Sequence, residues 1–321
     1  MDVEQMPAME TKEKCLWKAK LAQEANRFED MARYMKQVAE CGVPMTKDED
    51  NMLAAAYKHV LDTKRSSRRT LVTVEQKDGI TSWEAAVARH YRARIDEELR
   101  ALCTEVLTVV DSWLTSDQPE ASDPATGVFY WKLSADYHRY AAEVIDDPGD
   151  RAEVVAMSKA AYERADRLGR KNLRPIDPIR LGLMLNYSVF LYQVCQQRRQ
   201  GHDVAKHAFD EAVAEIDAID DSMYDDSTLI LRLIRDNLTI WIQENGGESY
   251  AGSAEDQVAP ALVAQAVDED DLHAVEDRVQ ADLVATAAVA APTVLLSLSP
   301  STGTVESQPD RDRRSLQDNV N

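Results

Sequence analysis

Asp177-Pro178-Ile179-Arg180-Leu181-Gly182-Leu183-Met184-Leu185-Asn186-Tyr187-Ser188-Val189-Phe190 carries both a helix start signal and a helix face. An acid directly before a proline puts an acceptor at the N-cap and the proline at the first helical position, where its missing N–H costs nothing. From there Asn186, Val189 and Gln193 recur at i, i+3, i+7, which is one side of a helix. A second stripe downstream, Ile230, Leu233, Asn237 and Trp241, has the same period. An asparagine inside an apolar stripe must find hydrogen-bond partners or cost stability. These two fit a satisfied pair in a core, or a pair reaching the main chain of an extended guest peptide.

Working outward, the same grammar recurs. Asp147-Pro148 repeats the start signal, Asp221-Ser222 opens a last helix, and Thr46 to Glu49 spells a capping box. The box predicts a long helix to about Lys77, and another follows from about Ser82 to Leu114. Upstream, Leu16, Ala19, Lys20, Ala22 and Gln23 fit a short first helix; Phe28, Met31, Met35 and Val38 give a second, broken by Gly42 and Pro44. Gly and Pro number only 11 each in 321 residues, and no strand-period alternation persists. The expected fold class is all-α, with antiparallel helix pairs stacked side by side.

A formal charge of -20 argues against binding along a nucleic-acid backbone, though a local basic pocket remains compatible with it. Cys15, Cys41, Cys103 and Cys195 are scattered, with no C-x-x-C spacing and no histidine placed to complete a zinc site. They read as reduced thiols packed against helices. No metal, cofactor or catalytic residue is expected. Neither a signal peptide nor an 18-residue apolar span is visible, so the expected location is cytoplasmic, with the nucleus also open to it.

After residue 243 the texture changes. Residues 244–321 hold 15 Asp/Glu against 4 Arg, which is -11 of the total -20. The expected division is a helical domain over 1–243 and an acidic, mostly disordered tail over 244–321, with a transient helix around Ala261 to Ala290.

Three local clusters bear on chemistry. Lys58 and Arg65 are seven residues apart, so both cations leave one helix face two turns apart. Arg139-Tyr140, on a helix that also carries Lys132, offers a bidentate fork and a hydroxyl donor suited to a tetrahedral dianion. The two asparagine stripes are the third. Taken singly, these fit a solvated charged face, a core ring and a core amide pair as well as they fit a site.

Taken in order, they resemble one family. Tyr57-Lys58-His59-Val60, Lys64-Arg65-Ser66-Ser67, Val128-Phe129-Tyr130-Trp131-Lys132 and Asp136 to Tyr140 are similar to 14-3-3 segments, as are Pro178 to Leu183, Asn186 to Phe190, Asp226 to Ile230 and Leu233 to Thr239. The resemblance covers roughly residues 12 to 243. It implies a nine-helix antiparallel bundle, a cup-shaped homo- or heterodimer and an amphipathic groove in each protomer. It implies an adaptor, not an enzyme, that binds phosphoserine or phosphothreonine in client proteins. Lys58, Arg65, Arg139 and Tyr140 match the phosphate ligands, and Asn186 and Asn237 the residues that bond the peptide main chain. Lys132, Leu185, Val189, Gln193, Leu229, Ile230, Leu233 and Trp241 match the groove wall. Leu21, Ala22, Ala25, Arg27, Asp30, Ser67, Leu71, Val74, Tyr91, Arg94 and Glu98 match the dimer interface.

The chain also departs from the pattern. Lys64 and Arg68 stand where the family usually has Arg and Trp, Gln193 where it has Glu, and Lys14 and Trp83 where an interface ion pair is usual. Ser67 follows Lys64-Arg65, as a basophilic kinase target would; either a phosphate there weakens the dimer, or the serine stays unmodified and is satisfied by a backbone carbonyl. The tail contains Arg313-Arg314-Ser315 and the acidic run Asp268 to Asp271. It is either solvated without a part in binding or a tethered competitor for the groove. An enzyme is disfavoured by the absence of a P-loop, nucleophile elbow or glycine-rich cofactor loop. A tetratricopeptide-like scaffold is disfavoured by the absence of a 34-residue period.

Overall fold

The computed structural model describes residues 5–115, 123–218 and 221–244. The transient helix, Ser315 and Asp268 to Asp271 lie outside these ranges, as does all of the expected tail except Glu244, which ends the last helix. Among the described residues the chain forms nine α-helices: α1 (Gln5–Glu24), α2 (Phe28–Glu40), α3 (Lys47–Glu75), α4 (Ser82–Leu114), α5 (Pro124–Ala142), α6 (Pro148–Asn172), α7 (Pro178–Val189), α8 (Arg198–Val213) and α9 (Asp221–Glu244). A single π-helical turn, Phe190–Val194, joins α7 to α8.

The starts follow the signals in the sequence. Thr46 Oγ1 accepts from the Glu49 N–H at 3.3 Å, and Glu49 accepts from the Thr46 N–H at 2.7 Å, closing the box that starts α3. Thr81 and Glu84 repeat it for α4. Asp123, Asp147 and Asp177 cap the three proline-led helices α5, α6 and α7. The first helix is longer than its apolar pattern predicts, since it begins at Gln5.

Helices adjacent in sequence pack together from α1 to α9, and α5 also packs on α7, as α7 does on α9. One core, around Met31, Met35, Leu53, Tyr57 and Leu99, joins α1 to α5. A second, around Tyr162, Leu183 and Phe190, carries α5 on to α8; a third, around Leu181, Phe209 and Ile234, closes α7 to α9. Gly201 lets α8 approach: a β-carbon there would sit 2.7 Å from the Ser188 carbonyl oxygen. Ala22, expected on a dimer face, is instead buried in the first core, because its side of α1 faces α2.

Arg68, which stands where the family usually has a Trp, is accommodated by charge. Its Nε lies 2.6 Å from Asp96, which Arg92 also holds at 3.0 Å, and Arg92 continues to Glu75 at 2.7 Å. The four side chains bridge α3 and α4. All four cysteines are free thiols; Cys15 and Cys103 are buried, Cys41 and Cys195 half-buried. Burial pushes the Cys103 thiol up to about 12, so it is unreactive at neutral pH.

Asp50 ties together the two helices that carry the candidate site. It lies on α3, is 5% exposed, and accepts the Tyr130 hydroxyl of α5 at 2.5 Å. Burial pushes its carboxyl up to about 6, although the Tyr130 bond pulls the other way. A folded-state value above the unfolded one means that the native state binds the proton more tightly. The ionised form therefore costs stability; the cost is absent below about pH 4, grows to pH 6 and is full above it. Asp50→Asn is expected to stabilise the fold by about 1–3 kcal/mol at pH 7.5, and by almost nothing at pH 4. Urea melts of both proteins at the two pH values check it; an equal difference at both would rule out the carboxyl as the cause.

Candidate functional site

Lys58 and Arg65 leave the same face of α3, and α5 brings Lys132, Arg139 and Tyr140 against them. The Arg139 and Arg65 guanidinium carbons lie 4.4 and 4.8 Å from the centre of the Tyr140 ring. One aromatic plate thus gathers two cations from two helices. Burial holds the Tyr140 hydroxyl far above its ordinary pKa, so it remains a donor at neutral pH. The sequence placed these residues on separate helices; the packing of α3, α4 and α5 brings them together.

Each cation has a carboxylate neighbour. Lys58 Nζ is 3.1 Å from Asp62. Arg65 makes a two-point contact to Glu143, Nε at 2.9 Å and Nη2 at 2.8 Å. Lys132 Nζ donates to Asp136 at 3.1 Å. Arg139 is placed differently: Asp136 and Glu143 lie 3.8 and 3.9 Å away, inside electrostatic reach but beyond hydrogen bonding. Arg139 Nε and Nη2 are buried and have no hydrogen-bond partner among the described residues. Burial opposes the Arg139 charge, but the surrounding oxygens outweigh it and hold the guanidinium well above its ordinary pKa. Burial also lowers the Lys58 ammonium; Asp62 works against that shift, while Lys132 and Arg65 add to it.

Asp136 organises this cluster, and the sequence reading gave it no role of its own. It is 0% exposed and accepts the Tyr162 hydroxyl from α6, Lys132 from its own helix, and Asn186 Nδ2 from α7 at 3.1 and 3.2 Å. With its amide nitrogen tied there, Asn186 keeps Oδ1 buried and without a hydrogen-bond partner among the described residues. An oxygen held in that way suits a main-chain N–H of a bound segment. Asp136 and Glu143 had a spacing signal, since they lie three before and four after Arg139. Tyr162, on another helix, had none.

The apolar side continues from Asn186 through α7 to α9. Val189, Leu229, Leu233 and Asn237 are half-buried, and Gln193 is exposed. Leu185, Ile230 and Trp241 are expected wall residues that the structure moves inward: Leu185 and Ile230 are 0% exposed and Trp241 3%. The packing of α7 on α8 and α9 turns that row into the core, where Trp241 stacks on Tyr192 at 4.2 Å. Val189, Leu229 and Leu233 keep part of their surface open.

The expected dimer residues form a surface on the other side of α3. A cleft of about 560 Å³ is lined by Arg27, Asp30, Ser67, Tyr91, Arg94 and Glu98, among others. Within the protomer Arg27 binds Asp30, and Glu98 is shared by Lys64 at 2.7 Å and Arg94 at 3.5 Å. Leu21, Val74 and Tyr91 are exposed, and Ala25 is exposed in the turn that follows α1. Leu71 is half-buried against the first core. Trp83, which stands where an interface ion pair is usual, is exposed, and so are Trp17 and Val87.

Among the described residues no helix is long and apolar enough to cross a membrane, and no cluster could hold a metal ion.

The comparison with known proteins fits this geometry. A family model described as 14-3-3 protein matches residues 18–242. The 14-3-3 protein beta/alpha-A of Xenopus laevis is 43% identical over 238 residues, covering 74% of this chain and 96% of its own. The 14-3-3 protein beta/alpha of Gallus gallus is 43% identical over 246 residues, and the 14-3-3 protein zeta of Bombyx mori 42% over 237. These cover 76% and 74% of this chain, and 99% and 94% of their own lengths. With nine helices in order, the matched cluster of cations on α3 and α5 and relatives aligned over nearly their whole length, the chain belongs to the 14-3-3 family, whose members are phosphopeptide-binding adaptors and not enzymes.

Proposed function

We propose that this chain binds phosphoserine- or phosphothreonine-bearing segments of client proteins, with Lys58, Arg65, Arg139 and Tyr140 on the phosphate and Asn186 and Asn237 on the peptide main chain. The observation that carries this reading is Arg139: a buried guanidinium whose Nε and Nη2 have no hydrogen-bond partner among the described residues, at the centre of a cationic cluster. Leaving such donors buried and unpaired is costly, and a bound anion with several acceptor oxygens relieves the cost. A phosphoserine supplies about -1.5 to -2 charge and three such oxygens; a plain serine supplies neither. Val189, Leu229 and Leu233 then receive apolar side chains of the guest beside its phosphate.

The chain works as a dimer in this reading, through the face that exposes Leu21, Val74 and Tyr91 beside charges of both signs. A surface carrying its own complement suits a two-fold contact between identical or related protomers. Two grooves then raise the effective concentration of a doubly phosphorylated client and let the adaptor regulate its activity, location or assembly in cytoplasmic signalling. Residues 244–321 form a separate acidic tail in this reading.

Sedimentation of the full chain with a labelled peptide tests both parts at once. The expected species has twice the 36.0 kDa chain mass and carries the phosphoserine peptide but not its unphosphorylated twin. Equal co-sedimentation of the two peptides would refute phosphate recognition, and a single-chain mass would refute the dimer.

A further inference from the structure

Two of the cations that hold the phosphate in this reading are engaged in different ways. Arg65 is clamped by Glu143, which projects from the end of α5 and is one-third exposed. Lys58 is engaged by a carboxylate of its own helix: Asp62 lies one turn further along α3, so both side chains leave the same face. The Lys58 side chain is only 15% exposed, whereas that of Asp62 is 42% exposed. The lysine is therefore fixed in the cluster and its partner is free to turn toward solvent. The charge of Asp62 is also felt by the Tyr137 and Tyr140 hydroxyls, which places it within the field of the pocket rather than outside it.

We propose that Asp62 is a built-in competitor for the phosphate subsite, occupying Lys58 in the free protein and yielding it only to an anion that outbids a carboxylate. The proposal rests on the reading of this cluster as a phosphopeptide site and adds a determinant of its affinity. Two consequences follow from charge alone. An anion at Lys58 must either displace Asp62 from its 3.1 Å contact or share the ammonium with it as a like charge, so every such ligand is weakened. A displaced Asp62 also remains nearby as a like charge, so release of the ligand is assisted. A peptide with glutamate in place of phosphoserine exchanges one carboxylate for another and gains nothing at Lys58. A phosphate brings a second charge and a third oxygen. The site is thereby set to answer to phosphorylation and not to acidic sequence, with exchange fast enough for clients to be released.

The test is calorimetric titration of the full chain with one phosphoserine peptide, for the unmodified protein, Asp62→Asn, Lys58→Met and the double variant. Asp62→Asn keeps the size and helical position of the side chain and removes only its charge. The expected result is binding about three- to tenfold tighter than that of the unmodified protein. The gain should vanish in the Lys58→Met background, because Asp62 acts through that lysine. An unchanged or weaker affinity for Asp62→Asn would overturn the proposal: the carboxylate would then serve to keep Lys58 charged, or do nothing. A gain that persists without Lys58 would overturn it as well, since it would report a general field. In both cases phosphopeptide binding by the unmodified protein leaves the functional reading intact. Failure of the unmodified protein to bind the peptide removes that reading, and the proposal with it.

Discussion

Replacing Arg139 with alanine is expected to weaken phosphoserine-peptide binding by about 2–5 kcal/mol, which is roughly 30-fold to several-thousand-fold. Arg139 is 5% exposed, and its Nε and Nη2 are buried without a hydrogen-bond partner among the described residues. A phosphate at those donors makes charge-assisted bonds in a water-poor setting, where each counts for more than at an open surface. Arg139 also lies on the Tyr140 ring, so its removal loosens packing as well as charge. Lys58→Glu separates the two effects. Lys58 belongs to the same cluster but is less buried, and a glutamate there would place a second negative charge beside Asp62 and against the incoming phosphate. Its expected loss is of similar size, with helix content unchanged by circular dichroism. Retained affinity of the Lys58→Glu protein in calorimetry would remove the phosphate assignment.

Asp136→Asn is the change expected to cost the fold most, by about 3–5 kcal/mol. The carboxylate is 0% exposed and is the nearest anion to Lys132, with Arg139 at 3.8 Å. An amide of the same shape leaves both buried cations without that counter-charge. It also presents an N–H to the Tyr162 hydroxyl and Asn186 Nδ2, both of which donate to the carboxylate. Tyr162→Phe, which removes one neutral partner and leaves the charges, should cost only about 1–2 kcal/mol. The comparison is a pair of urea melts. If Asp136→Asn lost no more than Tyr162→Phe, the charge of Asp136 would not be what holds the cluster. Because Arg139 and Asn186 are both positioned through Asp136, peptide affinity should fall in the same variant.

Legibility in the sequence divided along a physical line. Helix starts were readable because capping is local: Thr46 with Glu49, Asp147 before Pro148 and Asp177 before Pro178 act within three residues of one another. Helix α4 came out at Ser82–Leu114 for the same reason. The π-helical turn at Phe190–Val194 was not foreseen, because the pattern runs on apolar through it, and the turn accompanies the close approach of Gly201 to the Ser188 carbonyl.

By itself, then, the sequence determined the capped helix starts and the faces of its stripes, and marked Lys58, Arg65, Arg139, Tyr140 and Asn186 as candidates, since period and family pattern are properties of the chain; α8, which starts without a side-chain cap, carried no such signal. Only the tertiary structure decided which of those side chains meet and which are spent inside. In one stripe Leu233 stays half-buried while Ile230 and Trp241 turn into the core; beside these stripes Leu229 stays half-buried and Leu185 is enclosed. A stripe fixes a side of a helix but not how far the neighbouring helix covers it. Asp136 shows the same limit. Its spacing to Lys132 and Arg139 lies within one helix, but its bonds to Tyr162 and Asn186 span 26 and 50 residues and exist only because α6 and α7 pack on α5. Charge alone could not say that this acid is buried, and burial makes it the residue on which the cationic cluster depends.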